Sequence, residues 1–170
     1  MEKRNVTVSA IVAAIVLIGD QLSKHWAETW LRTNGEYKIW DGVLHLRYVE
    51  NRGAAFGMMQ GGKWFFLAIT GIACAAMLYF LIKERKRLHF MMTFSIALLL
   101  SGAIGNLIDR VALGYVRDMI YVALIDFAVF NVADMAVTVG CCLLVLDLLF
   151  FKGKKYMEMM AVSYTHLRAH

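Results

Sequence analysis

The chain has 170 residues, a formal charge of +5, no proline, and hydrophobic side chains at 60% of its positions. Soluble domains carry about 45–50% apolar residues in short periodic stripes; here they form long blocks with a mean hydropathy of +0.58, which excludes an ordinary soluble domain and predicts a membrane protein. The positive balance does not point to nucleic acid, because Lys and Arg sit in short clusters beside the apolar blocks, where membrane topology explains them.

Four segments are long enough to cross about 30 Å of hydrocarbon at roughly 1.5 Å per helical residue. The first runs from about Val6 to Trp26 and ends in the polar stretch Asp20-Gln-Leu-Ser-Lys24. That polar end, with no small-residue cleavage site, argues against a removable signal peptide. Asp20 and Lys24 are four apart, share a helix face and can form an ion pair, either as a structural anchor or as a contact for a lipid headgroup. A connection of about 27–63 follows. Within it, 36–50 alternates Val43, Leu44, Leu46, Tyr48 and Val49 with polar residues around an Asp41-Gly42 turn, predicting a small β-hairpin or sheet.

The second span covers about Trp64–Ile82 and is followed by Lys83, Arg85, Lys86 and Arg87. The third runs from about Leu88 to Ile108 and closes on Asp109-Arg110. Neighbouring helical residues do not face one another, so these two are expected to have different partners. A guanidinium there can hold a phosphate or a substrate carbonyl, or serve as an ordinary interfacial arginine. The second connection, about 109–129, holds Asp118 beside Arg117, and Asp126 as a loop acid. The fourth span, about Phe130–Phe151, carries Asp147 one turn before Lys152, where snorkelling and pairing suffice. Residues 1–155 read as a single four-helix domain with 156–170 as a tail. Its stretch Ser163–His170 fits neither span nor amphipathic helix and is set aside as a foreign end.

Orientation follows from the basic flanks. Lys3 and Arg4, the cluster Lys83–Arg87, and Lys152, Lys154 and Lys155 fall on one side of four crossings, so both termini are expected in the cytoplasm. In the first connection, on the other side, five basic residues (Arg32, Lys38, Arg47, Arg52, Lys63) nearly balance four acidic ones (Glu28, Glu36, Asp41, Glu50). Trp26, Trp30 and Trp64 form an interfacial belt there. The fold expected is an all-α membrane protein of four transmembrane helices, with a small extracytoplasmic β-sheet or hairpin region and a second extracytoplasmic loop. Cys74, Cys141 and Cys142 lie in apolar runs without ligand spacing and read as buried free thiols. No metal or cofactor is expected.

A charge inside a span costs at least about 2.5–3.5 kcal/mol, which makes each one a candidate functional residue. Asp118 lies just beyond the third span and Asp134 one turn into the fourth, at one membrane depth. Each has a plain alternative: Asp134 at the third position after an Asn131 cap, and Asp118 as an exposed acid paired with Arg117. As a pair they share a proton, because two close carboxylates in low dielectric cannot both ionise. One then activates water while the other polarises a carbonyl. HExxH, GxSxG and GxxxxGK[ST] motifs are absent.

Five segments, in order and at the right ends of the spans, carry a resemblance: Asp20-Gln-Leu-Ser-Lys24, Asn51-Arg-Gly-Ala-Ala-Phe-Gly57, Gly102-Ala-Ile-Gly-Asn-Leu-Ile-Asp-Arg110, Val116-Arg-Asp118 and Phe130-Asn-Val-Ala-Asp134. Together they resemble the bacterial lipoprotein signal peptidases (signal peptidase II) up to about Lys155. The resemblance implies a membrane aspartic endopeptidase of the bacterial inner membrane that cuts the signal peptide from prolipoproteins just before a diacylglyceryl-modified cysteine. It implies Asp118 and Asp134 as the catalytic acids. Asn51, Gly53, Asn106, Asp109, Arg110 and Asn131, with Asp20 and Lys24, are implied as substrate-binding or supporting residues. It also implies contact with membrane phospholipid and inhibition by globomycin-type cyclic peptides. Ser101 stands where a glycine is common, and Arg117 and Met119 flank Asp118 where apolar or aromatic residues are common; Arg117 is expected to lower the pKa of Asp118. The competing reading is a non-enzymatic four-span transporter or ion-binding protein, which requires acids spread through the bilayer. Asp109, Asp118 and Asp134 cluster at one side instead.

Overall fold

The computed structural model describes residues 2–53, 63–84 and 87–151. Ala54–Gly57 of the second motif, Arg85, Lys86, the basic residues after the fourth span, and the tail lie outside the described residues. Four helices are long and apolar enough to cross a membrane. They are α1 (Glu2–Trp26), α3 (Lys63–Glu84), α4 (Phe90–Ala112) and α5 (Val132–Phe150), close to the spans expected from the apolar blocks. With no proline in the chain, nothing removes a backbone donor inside them. α1 continues through a π-helical turn (Ala27–Leu31) and a three-residue turn α2 (Arg32–Asn34), stopping at Gly35, whose φ of +83° few other residues adopt.

α4 is the central helix: 56% of its apolar window is buried, against 6% for α3, whose Ile69, Ile72, Tyr79 and Ile82 point outward. It packs on α1, α3 and α5. Glycines permit these approaches. A Cβ on Gly102 would lie 2.3 Å from the Ala133 carbonyl oxygen, and one on Gly105 would lie 2.6 Å from Asp20 Oδ2. Ser101, in place of a further glycine, is buried and returns its hydroxyl proton to the Leu98 carbonyl.

The connections build a three-stranded antiparallel sheet in the order β1 (Tyr37–Trp40), β2 (Leu44–Asn51), β3 (Val116–Val122). The hairpin turns at Gly42, φ +72°, as the Asp41-Gly42 pair predicts. The third strand is a correction: the connection read as a loop around Asp118 pairs with β2, setting Asp118 opposite Val49 and Val116 opposite Asn51. Met119 packs on Ala27 and Leu31 of the π-helical turn, which seats the sheet on the end of α1. Phe130 doubles back on β3, its carbonyl accepting from Met119 and Ile120 N–H. Asp126 stays at an exposed turn, bonded by the Tyr121 hydroxyl at 2.6 Å.

At the opposite end Asp147 is fully buried and pairs with His89 at 2.7 Å, so its partner among the described residues is the residue that precedes α4. The cysteines are free, but only Cys74 is buried. Cys141 and Cys142 lie exposed on α5, because their apolar run faces outward rather than into the bundle.

Candidate active site

At the sheet end of the bundle, a cavity of about 530 Å³ opens between α4, β3 and α5. Asn51, Asn106, Arg110, Asp118 and Asp134 all line it, with Val116, Met135, Val139 and the segment Phe127–Phe130 as an apolar wall. Phe127, Ala128 and Val129 of that segment were not singled out from sequence, and Phe130 was read only as the start of the fourth span and its motif. The segment's aromatic residues look like an ordinary loop until Phe130 is seen bridging to Ile120.

Asp118 reaches the cavity because strand residues alternate faces: Val116 and Asp118 look into it, while Arg117 and Met119 look toward α1 and the π-helical turn. Asp134 reaches it from the first turn of α5. There Asn131 caps the helix: its Oδ1 accepts the Asp134 N–H at 2.9 Å, and Asp134 Oδ2 accepts the Asn131 N–H at 3.2 Å. The cap reading and the site reading of Asp134 are therefore compatible, since its other oxygen, Oδ1, accepts from Asn106 Nδ2 at 2.7 Å. Asn131 Nδ2 in turn donates to Asp118 Oδ1 at 2.6 Å, and Asn51 Nδ2 donates to Asp118 Oδ2 at 3.0 Å. Gly53 closes a turn against the Asn51 side chain, its N–H on Oδ1 at 3.0 Å.

Behind the cavity lies a second polar layer that no solvent touches. Asp20, Lys24 and Asp109 are all 0% exposed. Lys24 Nζ sits 2.8 Å from Asp20 Oδ2, 2.9 Å from Asn106 Oδ1 and 3.7 Å from Asp109 Oδ2. Asp20 Oδ1 accepts the Ala133 N–H at 2.9 Å, so the first span caps the fourth. This burial rules out a lipid headgroup on Asp20 or Lys24 and leaves the structural-anchor alternative. Arg117 grips Asp109 with Nε at 3.1 Å and Nη2 at 2.8 Å, and reaches Glu28 through Nη1 at 2.9 Å. Glu28 and Gln21 were not singled out as site residues from sequence, and Arg117 was singled out only as a neighbour of Asp118; their spacing along the chain gives no hint of these contacts.

Asp118 is 2% exposed, not an exposed loop acid. Its carboxyl is pushed up to about 7, first by burial and then by the negative charge of Asp134, against the pull of the Asn51 and Asn131 amides. The expectation that Arg117 lowers it is corrected: the guanidinium is turned to the opposite face of the strand and spent on Asp109 and Glu28. Arg110 instead faces the cavity over the Phe66 ring, 5.1 Å from its centre, and makes no salt bridge among the described residues. No group of three His, Cys, Asp or Glu side chains among the described residues is arranged to hold a metal. Two carboxylates bonded by amide donors, one of them titrating near neutrality, can exchange a proton with a bound water and a carbonyl.

A family model described as signal peptidase (SPase) II matches residues 12–150. A lipoprotein signal peptidase of Streptococcus thermophilus is 46% identical over 83% of this chain and 92% of its own length. One from Clostridioides difficile is 44% identical over 85% and 97%. Two solved structures, both described as a bacterial membrane enzyme determined by the in meso method, superpose with TM-scores of 0.78 and 0.76 at 36% and 35% identity. They cover 84% and 85% of this chain and 88% and 94% of theirs. With its four apolar helices, its surface sheet and its matched residues, the chain belongs to the signal peptidase II family.

Proposed function

We propose that this chain is a membrane aspartic endopeptidase that removes signal peptides from diacylglyceryl-modified prolipoproteins, cutting before the lipidated cysteine. The observation that carries the reading is the convergence of Asp118 and Asp134, from a strand and a helix, on one cavity with amides as their hydrogen-bond donors. The names of the curated relatives support the substrate class. Residues 1–155 form the peptidase domain. The basic flanks support a bacterial cell-membrane location with both termini cytoplasmic and the site on the extracytoplasmic side.

Asp118 holds the resting proton and donates it to the scissile carbonyl oxygen. Asp134, steadied by Asn106 Nδ2 and the Asn131 N–H, takes a proton from the attacking water. The water oxygen bonds to the carbonyl carbon, the carbon–nitrogen bond breaks, and a proton passes to the amine of the lipidated cysteine. Asn51 and Asn131 hold Asp118 in place for this exchange. The Arg110 fork offers donors to a substrate carbonyl or to a phospholipid phosphate at the cavity mouth. A globomycin-type cyclic peptide occupies the same cavity in this reading.

Asp118→Asn and Asp134→Asn are each expected to lower processing of a diacylglyceryl prolipoprotein by about 10²–10⁴-fold, the scale of general acid–base catalysis, with normal insertion and folding. Cleavage at the wild-type rate in either variant removes that aspartate from the mechanism.

A further inference from the structure

Arg117 is 9% exposed, charged, and unused in the chemistry above. Its hold on Asp109 is a complete fork. Nε and the backbone N–H meet Oδ2 at 3.1 and 2.9 Å, and Nη2 meets Oδ1 at 2.8 Å. Nη1 and Nη2 continue to Glu28 and Gln21 at 2.9 and 3.2 Å, so one side chain ties β3 to α4, α1 and the π-helical turn. Because the backbone N–H takes part, Asp109 sets the position of the residue directly before Asp118.

Charge carries the effect further. Lys24 touches Asp20 and Asn106 at hydrogen-bond distance but stands 3.7 Å from Asp109. Take the guanidinium away and Asp109 is left sealed from water, with the backbone N–H of residue 117 but without its two guanidinium donors, and with Lys24 as the cation beside it. A buried carboxylate that has lost its contacting cation is costly in low dielectric, so the ammonium is drawn toward it. Lys24 then leaves Asn106 Oδ1. That oxygen is held by Lys24 and by Asn131 Nδ2, and this pair of donors decides which end of the Asn106 amide faces Asp134.

We propose that Arg117 is a positioning residue of the peptidase site: it clamps and neutralises Asp109, which keeps Lys24 on Asn106 and the Asn106 donor on Asp134, and it fixes the strand that presents Asp118. The proposal rests on Asp118 and Asp134 being the catalytic pair. The charged groups around that pair are Asp20 and Lys24 on α1, Glu28 on the π-helical turn, Asp109 and Arg110 on α4, and Arg117 itself on β3. Loss of Arg117 draws Lys24 toward Asp109 and weakens the Lys24 charge that favours ionised Asp118.

The test compares Arg117→Met and Arg117→Lys in the full-length protein, with a diacylglyceryl prolipoprotein peptide as substrate and rates measured across pH. Arg117→Met is expected to lower kcat by about 10–100-fold, the cost of misplacing a catalytic group, with little change in KM. Its alkaline limb should move to higher pH. Arg117→Lys keeps the charge but cannot span both oxygens. It should leave the alkaline limb in place and recover only part of kcat. Wild-type kcat in Arg117→Met overturns the proposal. So does a loss that tracks the folded fraction alone with an unmoved pH profile. Should Arg117→Met not fold, Arg117→Lys decides, and an unchanged kcat there overturns it. If Asp118→Asn is inactive while Arg117→Met is normal, only this proposal fails. If Asp118→Asn is active, the catalytic pair itself is wrong.

Discussion

Two pairs of buried carboxylates lie on either side of Asn106 and Asn131, and they are held in opposite ways. Asp118 and Asp134 receive hydrogen bonds from amide N–H groups. Asp20 and Asp109 are in direct contact with Lys24 and Arg117. An amide donor satisfies a lone pair without supplying a charge, whereas a cation in contact holds its carboxylate by charge as well as by hydrogen bond. The contrast separates a layer suited to proton exchange from a layer suited to holding it in place. Asn106 joins them, with its oxygen on Lys24 and its nitrogen on Asp134.

The comparison breaks most visibly at Lys24. Lys24→Met leaves Asp20 and Asp109 short of a buried cation and is expected to destabilise the protein by about 3–5 kcal/mol. Asp118→Asn, in the layer whose carboxylates contact no cation, should keep wild-type stability. Thermal unfolding of the two variants in the same detergent reads this directly, and equal losses would erase the distinction between the layers.

Asn131→Ala sharpens the boundary. It removes the α5 cap, worth about 0.5–2 kcal/mol, together with the 2.6 Å donor on Asp118. Processing is therefore expected to fall further than stability. If activity falls only as far as the folded fraction does, Asn131 is a cap alone.

The smallest effect is the pH dependence of stability. The carboxyl of Asp118 is raised from 3.8 to about 7, so the folded state binds its proton more tightly than the unfolded chain does. Its contribution is fully present below about 3.8, is lost as pH rises toward 7, and is flat above that. Asp118→Asn should remove this slope, and processing should decline above neutral pH as the proton leaves. A stability curve identical in wild type and Asp118→Asn between these limits would show that Asp118 does not carry the proton.

Much of this was legible before any coordinates. Long apolar blocks without proline give four helices within a few residues of their ends, because crossing a bilayer leaves the backbone no other way to satisfy its hydrogen bonds. The Asp41-Gly42 turn gives the hairpin, and five ordered motifs bring Asp118 and Asp134 to attention. Strand β3 was not legible. Both of its faces are covered around Asp118, so Val116-Arg-Asp-Met mixes polar and apolar residues on each face and loses the alternation that marks a half-buried strand. The direction of Arg117 was lost with it.

The sequence by itself determined the helices and the turn and offered Asp118 and Asp134 as candidate acids, since these depend on local hydrophobicity, backbone freedom and residue type. Only the tertiary structure decided who holds whom. Asp20 caps a helix that begins 112 positions later in the chain, and Arg117 turns its back on Asp118 to grip Asp109. Such pairings are chosen by which buried charge lies nearest once the helices have packed, and spacing along the chain does not record that distance.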